Sequence, residues 1–550
     1  MHSDLEVQQL IQSDFFKIHK ENVLGEEMDV FKNRPRSLLD FLNNSAHFGD
    51  KPYLIFQNRT LTFSEHLELV KNFSSYLKET YDIKPGDRVA IYAANSIEWI
   101  VSFWSVVSLG AVACALNGWW NGKEAEAAIE DAQPKLILAD SKRIERFNQQ
   151  PSNLINFDEF AFQDLRNIKE SQFSSIAEDD CACLLYTSGT TGSPKGVMTS
   201  HRSMISNTML QLLQGAAVSA RSSKLGVNWG QHSPTSLLTS PLFHVSGLSA
   251  GAVTALFAGT TTLIYDGRFD AQKILSMFED HKVTSWGGAV PTALKRVLDE
   301  AEGCNQTFES VLVIGGGGAP MPPKHIERTK SIFPNCKHNF GYGYGLTESG
   351  AITIINWGDG LDAHPDSPGQ TMPTINIELR DDDGALIDSD NQEGEIYVRS
   401  PSVMLGYFNK PEATADALRD GRWLKTGDYA YKSNGLYYIV SRRTDLILRG
   451  AENVYPQEIE IILDSHPEVV ESAVVGVPHD DLGQEVKAIV VLHNDISFAE
   501  LESYVRSHLA NFKVPSLWEV SKNPFPRNAS GKLMKHVILD STKQTMIEES

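Results

Sequence analysis

"LLYTSGTTGSPKGVMTSHR" (residues 184–202) sets a short apolar run against a loop of hydroxyls and glycines around one lysine. Thr187, Ser188, Thr190, Thr191 and Ser193 offer hydrogen-bond donors. Gly189, Gly192 and Gly196 let backbone amides approach an anion, and Lys195 adds positive charge. The common phosphate loop GxxxxGK[ST] is a different pattern, because the lysine here follows proline rather than glycine. A solvent-exposed turn seldom concentrates five hydroxyls, three glycines and a lysine within residues 187–196. The stretch reads as a flexible triphosphate-binding loop.

Two further glycine-rich segments lie downstream: GGGGAPM (315–321) after the strand-like VLVI (311–314), and GYGYGLTES (341–349). Neither fits a dinucleotide fingerprint well, but both fall where strands of an open α/β sheet would end, the usual place for a ligand crevice. Glu348, beside Thr347, supplies a hard oxygen ligand suited to Mg²⁺ on phosphates. Strand-like runs such as RVAIYA (88–93) and LILA (136–139) alternate with helical stretches such as 97–109. That alternation predicts an α/β fold, with sheets covered by helices on both faces. Past Pro373 come short alternating strands with turn signals, including a hairpin at Asp383-Gly384 and the strand GEIYVRS (394–400), which predict a small β subdomain. After Arg442-Arg443 a compact block of mixed α and β follows. The predicted division is an N-terminal domain over 1–443 and a small α+β C-terminal domain over 444–550.

A chain of 550 residues is long enough for more than one domain with its own core. Its 41% hydrophobic content fits a globular protein, and its net charge of −21 argues against nucleic acid or anionic lipid as a general partner. Five scattered cysteines suit neither a disulfide framework nor a paired zinc site, and Cys181 and Cys183 are expected on one face of a strand. The N-terminus lacks a signal-peptide apolar region and the C-terminal IEES carries no address. A cytoplasmic, reducing setting is expected. Residues 99–122 contain no Asp, Glu, Lys or Arg and are long enough to span a bilayer. Serines interrupt the run and Gly110 divides it, so a buried helix ending at Gly110, followed by a buried strand Ala111–Leu116, is expected instead.

Gly247-Leu-Ser249-Ala-Gly251 matches the GxSxG elbow of serine hydrolases. Pro241, His244 and Ser246-Gly247 break the preceding strand too early, which places Ser249 inside an apolar helix rather than at a strand end.

The motifs together resemble the acyl-adenylate-forming ligases: acyl-CoA synthetases, firefly luciferase and peptide-synthetase adenylation domains. The resemblance runs from about residue 35 to 540 and rests on eight motifs in the family's order. They are YTSGTTGSPKG, PLFH (241–244), GGGGAPM, GYGLTE (343–348), GEIYVRSPSVMLGYFNKPEAT (394–414), WLKTGDYA (423–430), SRRTDLILRGAENVYPQEIE (441–460) and PRNASGKLMK (526–535).

The resemblance implies that a small-molecule carboxylic acid, fatty or aryl, attacks the α-phosphorus of ATP to give acyl-AMP and pyrophosphate, after which coenzyme A displaces AMP. Phosphopantetheine on a carrier protein is the alternative acceptor, and a serine hydrolase using Ser249 is the distant alternative. The loop 187–196 would hold the β- and γ-phosphates, Thr347 would touch the α-phosphate and Glu348 would bind Mg²⁺. Gly317, Gly318, Ala319 and Pro320, with Tyr344 and Gly345, would enclose the adenine. Asp428 and Arg442 would fix the ribose. Lys532 would bridge the α-phosphate and the substrate carboxylate. The small C-terminal domain would swing at Thr444, exchanging Lys532 for the 449–456 segment, where Gly450 and Asn453 would meet the thiol substrate. His244 would sit beside the acyl pocket, with a buried core histidine as the rival reading. WGGAVP (286–291) would line the acid pocket, although close backbone packing also explains its paired glycines. Ser441, Thr444 and Ala451 depart from the residues common in the family, and the last bears on the thiol acceptor. No nucleic acid and no membrane span are expected, and a homo-oligomer is left open.

Overall fold

The computed structural model describes residues 4–165, 175–187, 195–227, 229–231, 233–317, 321–442, 445–449, 452–479, 482–527, 533–535 and 537–538. Two large sheets form the N-terminal part. The first has seven strands, with Val112–Ala115, Arg88–Tyr92, Leu136–Ala139 and Leu154–Asn156 parallel to one another and to Cys181–Thr187. Along Arg88–Tyr92, Val89 and Ile91 join one core with Trp99, Phe103 and Trp104, while Ala90 and Tyr92 join Ala125 and Ala128 on the other face. This period-2 alternation of two apolar faces is what a sheet covered on both sides requires. The second sheet has nine strands, parallel from Phe340–Tyr344 through Val313–Gly317, Ser285–Ala289, Thr235–Leu238 and Thr261–Ile264 to Pro52–Phe56. Leu237 and Leu238, adjacent in sequence, likewise fall in different cores. The fold is the α/β architecture expected from the alternating runs.

The uncharged run 99–122 divides as its serines and Gly110 suggest. Helix Ile97–Ser108 is buried on nearly every side, Gly110 turns at φ +72°, and the strand Val112–Ala115 follows. Each large apolar side chain so buried contributes roughly 1.5–3 kcal/mol of transfer free energy. The serines serve packing. Ser105 Oγ donates to the Val101 carbonyl at 2.8 Å, and Ser108 Oγ lies 2.9 Å from Ser74 Oγ of helix Phe63–Tyr81. Small side chains there let the two helices approach closely. Among the described residues, no helix is long and apolar enough to cross a membrane.

The glycine segments differ from expectation. The strands are Val313–Gly317 and Phe340–Tyr344, so Gly315–Gly317, Gly341 and Gly343 lie inside strands rather than in turns after them. A Cβ on Gly317 would stand 2.9 Å from the Gly343 carbonyl oxygen, and one on Gly343 would stand 3.1 Å from that of Ile354. Such close backbone approach admits no side chain. The result is a stretch of sheet whose surface is bare backbone.

A third sheet of six strands forms the β subdomain, built on Asn376–Arg380, Gly394–Arg399 and Trp423–Ser433, with Leu436–Arg442 paired to the last. A separate C-terminal sheet of five strands is centred on the antiparallel pair Val469–His479 and Gly483–Leu492 and has its own core around Ile459, Leu463, Val486 and Leu501. Residues 443 and 444, where the sequence places the boundary and the hinge, lie outside the described residues.

Candidate active site

A cleft of about 2100 Å³ opens where the parallel strands of the second sheet end, facing the edge of the first. Cys181–Thr187 and Lys195–Ser200 form an antiparallel hairpin at that edge, with Thr187 opposite Lys195. Both residues line the cleft, while Ser188, Gly189, Thr190, Thr191 and Gly192 lie outside the described residues. The Lys195 ammonium stands 5.1 Å from the centre of the Tyr407 ring, a cation–π arrangement. Tyr407 in turn donates its hydroxyl to Glu348 Oε1 at 3.0 Å. Three segments far apart in sequence thus meet as a cation, an aromatic ring and a carboxylate. Gly196 has a packing role that its place in the loop did not suggest. A Cβ there would meet the Tyr186 ring at 3.2 Å, so it makes room for that ring.

Thr347 and Glu348 lie in the turn after Phe340–Tyr344 and line the cleft. The turn is held by the Gly350 amide donating to the Thr347 carbonyl at 3.2 Å and by the Met404 amide donating to that of Glu348 at 2.9 Å. Gly345 is obligatory, since a Cβ would fall 1.4 Å from the Ala351 carbonyl oxygen. Tyr344 lines the cleft and donates its hydroxyl to Asp428 Oδ2 at 2.7 Å. Asp428 itself is only 3% exposed and stands behind that tyrosine, opposite Arg442 in strand register. Gly317 also lines the cleft, whereas Gly318, Ala319 and Pro320 lie outside the described residues.

Residues 41–408 match the AMP-binding enzyme family model, and residues 458–532 match the AMP-binding enzyme C-terminal domain. The chain belongs to the acyl-adenylate-forming ligases. It is 33% identical to a 2-succinylbenzoate–CoA ligase of Bacillus velezensis over 88% of this chain and 93% of that one. It is 30% identical to a long-chain-fatty-acid–CoA ligase of Bacillus subtilis over 94% and 96% of the two chains. The Bacillus subtilis o-succinylbenzoate CoA synthetase solved with its acyl-adenylate superposes with a TM-score of 0.76 at 30% identity, covering 92% of this chain and 98% of that one. The same synthetase solved with ATP and magnesium ion superposes at 0.74 with 31% identity, covering 90% and 98% of the two chains.

In this ligase His244 lines the cleft and is half-buried, so it is not a core histidine. It caps the short helix Val245–Gly247, its Nδ1 facing the Ser246 amide at 3.4 Å and the Ser246 hydroxyl at 3.0 Å. The paired glycines of WGGAVP divide the two readings between them. Gly287 has open space where a Cβ would be, whereas Gly288 sits at φ +71° with Ser240 Oγ 2.5 Å from its would-be Cβ. The hydrolase reading fails on geometry. Ser249 lies in a π-helical turn, Leu248–Thr254, and its hydroxyl is held by the side-chain amides of Asn207 and Gln211, with no histidine bonded to it among the described residues.

Lys532 and Gly450 lie outside the described residues, as do the side chains of Arg442 and Asn453. Arg527 and Met534, on either side of the 528–532 segment, line the cleft. Sequence reasoning missed Tyr407. Its only signal was a place within GYFNKPEAT, and its bond to Glu348 is purely tertiary.

Proposed function

We propose that this ligase joins a carboxylic acid, fatty or aryl, to coenzyme A in two steps. The acid's carboxylate first attacks the α-phosphorus of ATP, forming acyl-AMP and releasing pyrophosphate. The thiol then attacks the acyl carbonyl and AMP leaves. The observation that carries this reading is the Lys195–Tyr407–Glu348 cluster facing the bare glycine strands across one cleft. A surface stripped of side chains suits a flat base, and a tethered cation suits phosphate oxygens.

Within this reading Thr187 through Gly192 and Lys195 hold the β- and γ-phosphates, and Thr347 contacts the α-phosphate. Gly317–Pro320, Tyr344 and Gly345 enclose the adenine. Asp428 and Arg442, register partners on adjacent strands, fix the ribose, Asp428 acting from behind the Tyr344 hydroxyl. Lys532 neutralises charge as carboxylate and phosphate approach, and His244 borders the acid. Gly450 and Asn453 serve the thiol step. Mg²⁺ fits Glu348: one half-buried carboxylate, oriented by Tyr407, is the sparse protein share that a largely hydrated Mg²⁺ takes beside phosphates. When bound, the ion would neutralise phosphate charge. Domains of residues 1–443 and 444–550, moving at Thr444, would alternate the two steps. Five unpaired cysteines support a reducing, cytoplasmic setting.

Positioning and charge neutralisation carry such chemistry, with no protein nucleophile required. The test is pyrophosphate release over a panel of acids, each with and without coenzyme A. Release that needs an acid, followed by thioester formation with coenzyme A, is expected. Release without any acid, or acyl-AMP that coenzyme A cannot discharge, would count against the reading.

A further inference from the structure

Helix His201–Lys224 turns Gln211, Gln214, Gly215 and Val218 toward the cleft, the 3-4-7 spacing of one helical face. Opposite Gln211, the π-turn presents Ser249, which is 5% exposed and lines the same cleft. Single π-turns inside helices often mark functional sites, because they re-aim a side chain. A serine hydroxyl has two lone pairs and one proton. Asn207 Nδ2 donates to Ser249 Oγ, and Gln211 Nε2 donates to it at 2.8 Å. Both lone pairs are therefore taken, and among the described residues nothing accepts the remaining proton. Behind Ser249 a void of about 10 Å³, lined by Thr199 and Asn207, has room for one water. A water there would accept from the Thr199 hydroxyl and donate to the Asn207 side-chain oxygen, two atoms without partners among the described residues, leaving the Asn207 amide nitrogen turned to Ser249.

Two more cleft-lining residues carry buried polar atoms without a partner among the described residues: Trp229 at its indole Nε1 and Asn339 at its Nδ2. Asn339 is 2% exposed. A wall built only for hydrocarbon would not hold several buried donors unpaired. Nor does the wall suit a second charge. Among the described residues, the cleft-facing members of helix His201–Lys224 and of residues 245–258 include no Asp, Glu, Lys or Arg.

We propose that this wall selects an acid bearing an uncharged oxygen substituent, hydroxyl or keto, which accepts a hydrogen bond from Ser249, in preference to a plain hydrocarbon acid. The proposal rests on the acid-activating reading above. A hydrocarbon acid would dry the wall and leave the Ser249 proton unbonded, a loss worth about 5- to 150-fold for one buried polar group. A charged substituent placed at Ser249 would meet no counterion among the described cleft-facing residues of helix His201–Lys224 and of residues 245–258. A hydroxyl would also donate to the Gln211 carbonyl oxygen, whereas a keto oxygen would use Ser249 alone.

The test measures kcat/KM for pyrophosphate release with matched acids: medium-chain and phenylalkanoic acids, their hydroxy and keto positional isomers, and the corresponding diacids. At least one oxygenated isomer should exceed its hydrocarbon counterpart by about tenfold or more, with diacids poorest. Ser249→Ala should cut that oxygenated-to-hydrocarbon ratio by about tenfold. Gln211→Met should lower the ratio for a hydroxy acid more than for a keto acid. It also reads the same wall if Ser249→Ala fails to fold. Hydrocarbon acids equal to or better than every oxygenated partner would overturn the proposal. So would a ratio that neither variant moves. If no acid in any set releases pyrophosphate although ATP raises the melting temperature, the acid-activating reading itself has failed, and this proposal falls with it.

Discussion

The two walls of the cleft are made differently. The proposed nucleotide wall is backbone and fixed charge: bare strands around Gly317 and Gly343, the Gly345 turn, and Glu348 tied through Tyr407 to Lys195. The proposed acid wall is side chains, with Gln211, Trp229, Ser249 and Asn339 drawn from a helix, a short 3-10 turn, a π-turn and the position just before a strand. Backbone cannot be varied without moving the fold, whereas a side-chain wall can be rewritten one residue at a time. In the proposed reading, one wall serves chemistry common to every acid and the other serves the choice of acid.

Changes to the nucleotide wall should depress all acids alike, and changes to the acid wall should reorder them. Lys532→Ala is expected to be the most damaging, lowering pyrophosphate release by about 10²–10³-fold for every acid, since its charge acts where charge develops. Thioester formation from supplied acyl-AMP should survive better. Near-normal adenylation would remove Lys532 from the step. Glu348→Gln should cost about 10- to 100-fold and raise the Mg²⁺ concentration needed for half-maximal rate. An unchanged Mg²⁺ titration would place the ion elsewhere.

The two glycines at the acid wall sharpen the contrast. Gly287→Ala should keep the melting temperature and raise KM several-fold for bulky acids only, because its Cβ would enter open space. Gly288→Ala should lower the melting temperature by about 2–4 °C, because it strains a positive φ and meets Ser240. Identical profiles for the two variants would erase the distinction. The smallest effect is expected away from both walls. Removal from water, with Glu460 and Glu471 nearby, pushes the Asp464 carboxyl up to about 7 despite the hydroxyl bond from Ser472. A carboxyl whose folded pKa is raised contributes stability below its unfolded value of 3.8, and that contribution fades as pH rises through about 7. Asp464→Asn should therefore raise the melting temperature relative to the parent by a few degrees at pH 8 and by less at pH 5, where only part of the contribution has been lost. A scan flat in pH would contradict this.

The α/β alternation and the buried helix at Ile97–Ser108 were legible in the sequence, because period and charge-free length are local properties. The glycine segments were legible as sites but not as strands. Whether a glycine sits in a turn or under a neighbouring carbonyl depends on the adjacent strand, as Gly317 beside Gly343 illustrates. Gly287 and Gly288 are indistinguishable as letters, and only the position of Ser240 separates them. Tyr407 and Glu348 are 59 residues apart, and Ser249 and Gln211 are 38 apart. Hydrogen bonds across such separations carry no periodic or compositional signature. The sequence by itself therefore determined the family and the layers. Tertiary structure alone decided which hydroxyls and amides face the cleft, because that depends on how separate elements pack rather than on any segment's own preference.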